Sequence, residues 1–104
     1  MKIIVHKIKL KDIKYLSEFK EWVLTKDYVA CHDLASVVQF DVCEVSSDPS
    51  ADCHFIEIIR LSSAEAFEQD MKSDLFHSLE DAFFTMADVV EETVSTLIGD
   101  GYRA

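Results

Sequence analysis

Apolar and polar residues alternate along IIVHKIKL near the start of the chain, and this period of two, with its β-branched content, predicts a strand over residues 2–10. The period then lengthens. Ile13, Leu16, Phe19 or Lys20, and Val23 recur at helical spacing, with Trp22 widening the stripe, so residues 13–26 read as an amphipathic helix. The less regular segment Asp27–Asp33 reads as a turn or short helix. Residues 36–46 form a second strand, the cluster Ser46-Ser47-Asp48-Pro49-Ser50 carries hairpin-turn chemistry, and 53–61 form a third strand. Ser62-x-x-Glu65 has the form of a capping box opening a helix to about residue 71. Ser73 can cap a further helix to about 93, in which Leu75, Leu79, Phe83, Met86 and Val90 draw one apolar stripe. Residues 94–98 complete the pattern as a short strand, ended by Gly99-Asp100-Gly101.

The order β-α-β-β-α-β predicts an α+β domain of ferredoxin-like type, with the second crossover split into two helices and both crossovers on one face of a four-stranded antiparallel sheet. Strand side chains alternate between faces. If the fully apolar set faces the helices, that side holds Ile3, Val5, Val38, Phe40, Val42, Ile56 and Ile58. The opposite face then carries Ile4, His6, Ile8, Val37, Gln39, Asp41, Cys43, Phe55, Glu57 and Ile59. That mixed face is more apolar than a monomer usually exposes, so sheet-against-sheet homodimerisation with an internal cavity is expected.

With 104 residues, one proline and a 49% apolar fraction, the chain reads as one compact domain, 1–104, with a real core. Twenty acidic against ten basic residues give a formal charge of −10, which repels phosphate backbones and anionic lipid. Nucleic-acid and membrane roles are therefore not expected. Cys31, Cys43 and Cys53 form no CxxC pair and read as reduced thiols; with a charged, alternating N-terminus in place of a signal peptide, a cytoplasmic protein is expected. His32, His54 and His77 show no metal-ligand spacing, so no metal is expected. Both glycines lie in the C-terminal tail, which leaves no glycine loop for a nucleotide.

The polar residues planted in apolar strands are the candidate chemistry. An unperturbed imidazole titrates near neutrality, so His6 could move a proton, or it could simply be satisfied by a neighbour across the dimer. Glu57 lies on the third strand, which pairs with the first in this topology. Between Phe55 and Ile59 it would be desolvated and act as an acid or base, the competing reading being an ion pair with His6 or Arg60. Gln39 and Asp41, two apart and about 7 Å from each other, could orient a polar substrate group or be solvated on an edge strand. Asp27 and Tyr28 could line a pocket mouth at the end of the first helix, or merely pack. Trp22, Phe67, Phe83, Phe84 and Met86 read as core. Glu91-Glu92 and Lys7/Lys9/Lys11 read as solvated faces.

Six stretches resemble RedY-like proteins: Ile4-Val5-His6-Lys7-Ile8, Phe19-x-x-Trp22-Val23, Asp27-Tyr28-x-x-Cys31, Phe55-x-Glu57-x-Ile59, Ala66-Phe67-Glu68-Gln69-Asp70-Met71 and Ile98-Gly99-x-Gly101-Tyr102-Arg103. The resemblance runs over nearly the whole chain. It implies a dimeric α/β barrel of a superfamily that also holds cofactor-free monooxygenases, and a role in prodigiosin-type pigment biosynthesis. It further implies a protein that steers condensation or cyclisation of aromatic intermediates without a cofactor. On that basis the expected ligand is a pyrrole or bipyrrole aldehyde, with His6 and Glu57 exchanging protons while Phe55 and aliphatic neighbours hold the ring. The other readings are a carrier that shields a reactive intermediate and a cofactor-free monooxygenase.

Overall fold

The computed structural model describes all 104 residues, with four strands and three helices. Strand β1 spans Lys2–Leu10, β2 Val37–Glu44, β3 Phe55–Leu61 and β4 Ala87–Thr96. Helix α1 spans Leu16–Trp22, α2 Ala64–Met71 and α3 Asp74–Met86. The sheet order is β2-β3-β1-β4 with every neighbouring pair antiparallel, which is the ferredoxin-like arrangement. α2 and α3 together form the second crossover.

The expected first helix is built from several pieces. Asp12 caps a 3₁₀ turn, Ile13–Tyr15, by accepting from the Lys14 N–H at 2.9 Å. α1 follows and passes into a π turn at Val23–Asp27, a helical turn at Tyr28–Ala30 and a 3₁₀ turn at Cys31–Asp33. Helical structure therefore continues through the segment whose composition looked irregular. The cap of α2 is Ser63, whose Oγ accepts from Ala66 N–H at 3.1 Å, one residue later than the Ser62 capping box predicts. Ser73 caps α3 as expected, through Phe76 N–H at 3.1 Å.

The largest difference in boundaries lies after α3. The helix stops at Met86 rather than near 93, and the last strand runs over 87–96 rather than 94–98. Val90 continues a helical stripe by spacing alone. The Val- and Thr-rich segment ADVVEETVST instead pairs along the whole of β1, from Lys2↔Thr96 to Leu10↔Ala87, and nine residues of ladder outweigh a marginal local preference.

The faces of β1 and β3 are reversed relative to expectation. The side chains buried beneath the helices are Ile4, Ile8 and Leu10 of β1 and Phe55, Ile59 and Leu61 of β3. The mixed face, with His6 and Glu57, is thus the helix-covered one. Ile3, Val5, Ile56 and Ile58 lie half-buried on the open side. Both faces are rich in Ile and Val, so polarity alone misassigns them; the helix layer takes the set that includes the bulkier Phe55 and the strand-end leucines. Bulges complete the correction. Val38 is an extra residue between the pairs Val37↔Leu61 and Gln39↔Arg60, so Val37 and Phe40 share the helix side while Gln39 and Asp41 turn outward. Val90 is likewise extra between Lys7↔Glu91 and Ile8↔Val89, which sets both Val89 and Glu92 toward the helices.

The core centres on Phe19, Phe55 and Phe83 with Ile8, Leu10, Val23 and Met86. The Phe19 and Phe55 rings lie 4.6 Å apart. Two buried polar residues pin its margins. Ser36 N–H donates to Asp70 Oδ2 at 2.8 Å, and its hydroxyl donates to the same oxygen, tying the start of β2 to α2. His54 Nδ1 accepts from Leu10 N–H and its Nε2–H donates to the Asp48 carbonyl, each at 3.0 Å, which defines one neutral tautomer. His54→Ala should strand the Leu10 N–H and leave a void, lowering unfolding free energy by about 2–4 kcal/mol in a denaturant titration. An unchanged midpoint would contradict this assignment.

Candidate active site

β1 is an inner strand, so each of its residues faces one partner on each side. His6 stands opposite Glu57 of β3 and Glu92 of β4. Its imidazole bridges the two carboxylates: Nδ1 is bonded to Glu57 Oε1, and Nε2 to Glu92 Oε2 at 2.7 Å. Burial would pull the His6 pKa down, but the hydrogen bonds to Glu57 and Glu92 outweigh it and hold the pKa above its usual value. In the cationic form both ring nitrogens donate. The Glu57 side chain is 12% exposed and that of Glu92 57%, so the row runs from the interior to solvent.

Above His6 and Glu57, between sheet and helices, lies a cavity of about 150 Å³. Twelve of its sixteen lining residues are hydrophobic, among them Trp22, Phe40, Phe67, Phe76, Phe83 and Phe84. The other four are His6, Glu57, Asp27 and Glu80, all of them ionisable. Glu80 and Phe84, one helical turn apart on α3, are largely solvent-exposed and form the mouth.

Asp27 owes its place to the π turn. The N–H of Tyr28 bonds to the carbonyl of Val23, five residues back, and this wider turn allows Trp22 and Asp27 to line the same cavity. The Asp27 carboxyl makes no hydrogen bond within the chain. Burial, and then the charge of Glu57, push its pKa up to about 7. An acid of that strength in an apolar cavity can both give and take a proton near neutrality. Cys31, one turn further, is raised to about 11 by burial and by Asp27 and Glu57, which keeps it a thiol and a poor nucleophile.

The structure therefore brings together three of the residues singled out in the sequence: His6, Glu57 and Asp27. The others fall elsewhere. Phe55 is 2% exposed, packs on Phe19 in the core and does not line the cavity. Gln39 and Asp41 bond to each other at 2.8 Å on the outward side of β2, away from His6. They border a separate open groove with Tyr28, whose hydroxyl accepts from Val42 N–H at 2.9 Å and whose ring stacks edge-on against Phe40. Glu92, read as part of a solvated run, bonds to His6, while Glu91 does pair with Lys7 at the surface. The aromatic residues taken as plain core are also cavity walls, and no sequence spacing announces that. Glu57 and Glu92 bind opposite ring nitrogens, so they and His6 share no point where a metal could sit; no group of three His, Cys, Asp or Glu side chains is placed to hold one. No helix is long and apolar enough to cross a membrane.

The model of the REDY-like protein HapK matches residues 2–98. The chain belongs to the REDY-like HapK family. The crystal structure of HapK from Hahella chejuensis is 42% identical, with a TM-score of 0.98 over 100% of this chain and 99% of that one. SnoaB, a cofactor-independent oxygenase from Streptomyces nogalater, superposes with a TM-score of 0.73 at 13% identity, over 94% of this chain and 93% of that one. An antibiotic biosynthesis monooxygenase superposes at 0.62 with 16% identity, over 97% of this chain and 100% of that one. The last two likenesses show a shared fold alone. No curated protein sequence matches the chain.

For this HapK-family chain the Asp27 pKa has a stability consequence. A carboxyl raised from 3.8 to about 7 by folding binds its proton more tightly in the native state, so its contribution is full below pH 4 and is lost as pH rises through 7. Asp27→Asn should therefore match the wild type at pH 4 and exceed it at pH 8, by about 1–2 kcal/mol once partial solvent screening is included. Denaturant titrations at the two pH values check this; a difference independent of pH would place the Asp27 carboxyl in water.

Proposed function

We propose that this HapK-family protein is a cofactor-independent biosynthetic catalyst that holds a planar aromatic, pyrrole-type ring in the sheet–helix cavity and promotes its condensation or cyclisation by proton transfer. The observation that carries the reading is the unpartnered Asp27 carboxyl, poised near neutrality, in the same apolar cavity as the His6–Glu57 pair. A cavity of 150 Å³ is the size that accommodates one benzene-like ring. The second ring of a bipyrrole or a second reactant then lies toward the mouth at Glu80 and Phe84. Membership of the HapK family supports a place in antibiotic or pigment biosynthesis, of prodigiosin type in this reading.

In such a condensation Asp27 protonates an aldehyde oxygen while a ring carbon of the partner forms the new carbon–carbon bond. Glu57 takes the proton that the ring carbon gives up and returns it to the resulting hydroxyl, which leaves as water, and the pyrrole nitrogen gives up its proton to restore Asp27. His6, clasped from both sides, keeps Glu57 oriented. The test is incubation with a bipyrrole aldehyde and a monopyrrole, following product by absorbance and mass. Asp27→Asn and Glu57→Gln should each lose about 10²–10⁴ in rate while still binding the aldehyde. The rate should fall as pH rises past about 7, where Asp27 ionises. Binding without turnover at any pH would make the protein a carrier, and stoichiometric oxygen consumption would make it an oxygenase.

The same reading includes a cytoplasmic homodimer. The open sheet face carries Ile3, Val5, Ile56 and Ile58. Pairing that face with a second copy buries it and leaves each cavity complete beneath its own helices. The three free thiols suit a reducing compartment. Light scattering should give twice the chain mass, and Ile58→Glu should give a folded monomer; a wild-type monomer would remove the dimer.

A further inference from the structure

The cavity combines two features that act on charge. Six aromatic rings line it: Trp22, Phe40, Phe67, Phe76, Phe83 and Phe84. Aromatic faces carry partial negative charge and attract cations, most strongly where water is excluded. The ionisable groups at the cavity are three carboxyls, Asp27, Glu57 and Glu80, one imidazole, and the Cys31 thiol, which burial keeps protonated. That imidazole offers no free positive charge, because its two nitrogens are committed to Glu57 and Glu92. No lysine or arginine lines the cavity, and the chain as a whole carries −10.

We propose that the cavity selects a planar aromatic ring bearing positive charge on nitrogen, as a protonated heterocycle or an iminium-type intermediate, and rejects carboxylates and other anions. This rests on the reading of the cavity as a ring-binding site and names the charge of what it binds. It also constrains the chemistry. A condensation that passes through a protonated carbonyl and an iminium cation develops positive charge where rings and carboxylates await it. Deprotonation to a carbanion would place negative charge against Glu57 and Glu80, and the one basic group at the cavity wall, His6, already has both nitrogens committed to carboxylates. The charge preference strengthens as pH rises past 7. Among the ionisable groups that line the cavity with Asp27, namely His6 on β1, Glu57 on β3, Cys31 on the next turn and Glu80 on α3, only His6 is basic.

Three probes of one shape separate charge from ring binding: benzamidinium, benzamide and benzoate, titrated into the full chain at pH 8 and followed by calorimetry and by amide chemical shifts around the cavity. Benzamidinium should bind about tenfold more tightly than benzamide, the size of one favourable cation contact, and benzoate most weakly. Glu57→Gln should lower the benzamidinium-to-benzamide ratio. Glu80→Gln, at the exposed mouth where folding is not at stake, should lower it as well. Equal binding of benzamide and benzamidinium, or tighter binding of benzoate, would overturn the charge preference while leaving the ring site intact. If none of the three bound, the ring-binding reading would fall, and the charge preference with it.

Discussion

Pairing of β1 on both of its edges is the constraint from which the site follows. An inner antiparallel strand has its neighbours chosen by register, and the register of β1 sets one imidazole between two carboxylates, Glu57 and Glu92. Nothing local to His6, Glu57 or Glu92 brings them together, since they lie on three different strands. A slip of one residue in either ladder would turn one of these side chains to the opposite face. The apolar residues flanking them, Ile4 and Ile8 beside His6 and Phe55 and Ile59 beside Glu57, resist such a slip because they are buried under the helices. The hydrophobic core therefore stabilises the register, and the register assembles the polar row.

The helix layer adds what the sheet lacks. Its aromatic side chains roof the row and lower the local dielectric, and the π turn after Trp22 introduces Asp27 into the apolar space without a hydrogen-bond partner. A carboxyl in that position costs stability when ionised, and the same cost is what raises its pKa into the useful range. The structural polar residues contrast with it. Ser36 and His54 are more deeply buried, and each finds its partners within the chain.

Much of the fold is legible from periodicity. The bounds of β1, the serine cap of α3 and the ferredoxin-like order follow from patterns that act over a few residues and that tertiary packing reinforces. The boundary near residue 87 is not legible. Val90 suits a helical stripe and a strand equally, and only the ladder with β1 decides between them. The face assignment fails for a related reason. Ile3 and Val5 are as apolar as Ile4 and Ile8, so hydropathy cannot say which pair meets the helices, and single-residue bulges at Val38 and Val90 break the alternation on which parity reasoning depends.

The amino-acid sequence by itself determined that the chain is acidic and of α+β class, and that His6 and Glu57 are polar residues in apolar strands on paired elements. These follow from composition and short-range period, which require no knowledge of distant contacts. Only the tertiary structure decided that the pair faces the helices, that Glu92 completes it, that Asp27 joins it, and that Gln39, Asp41, Tyr28 and Phe55 do not. Each of those depends on which face is covered, on a bulge or on a π turn. Such features cost little in local energy and are selected by long-range packing, so the local pattern carries no mark of them.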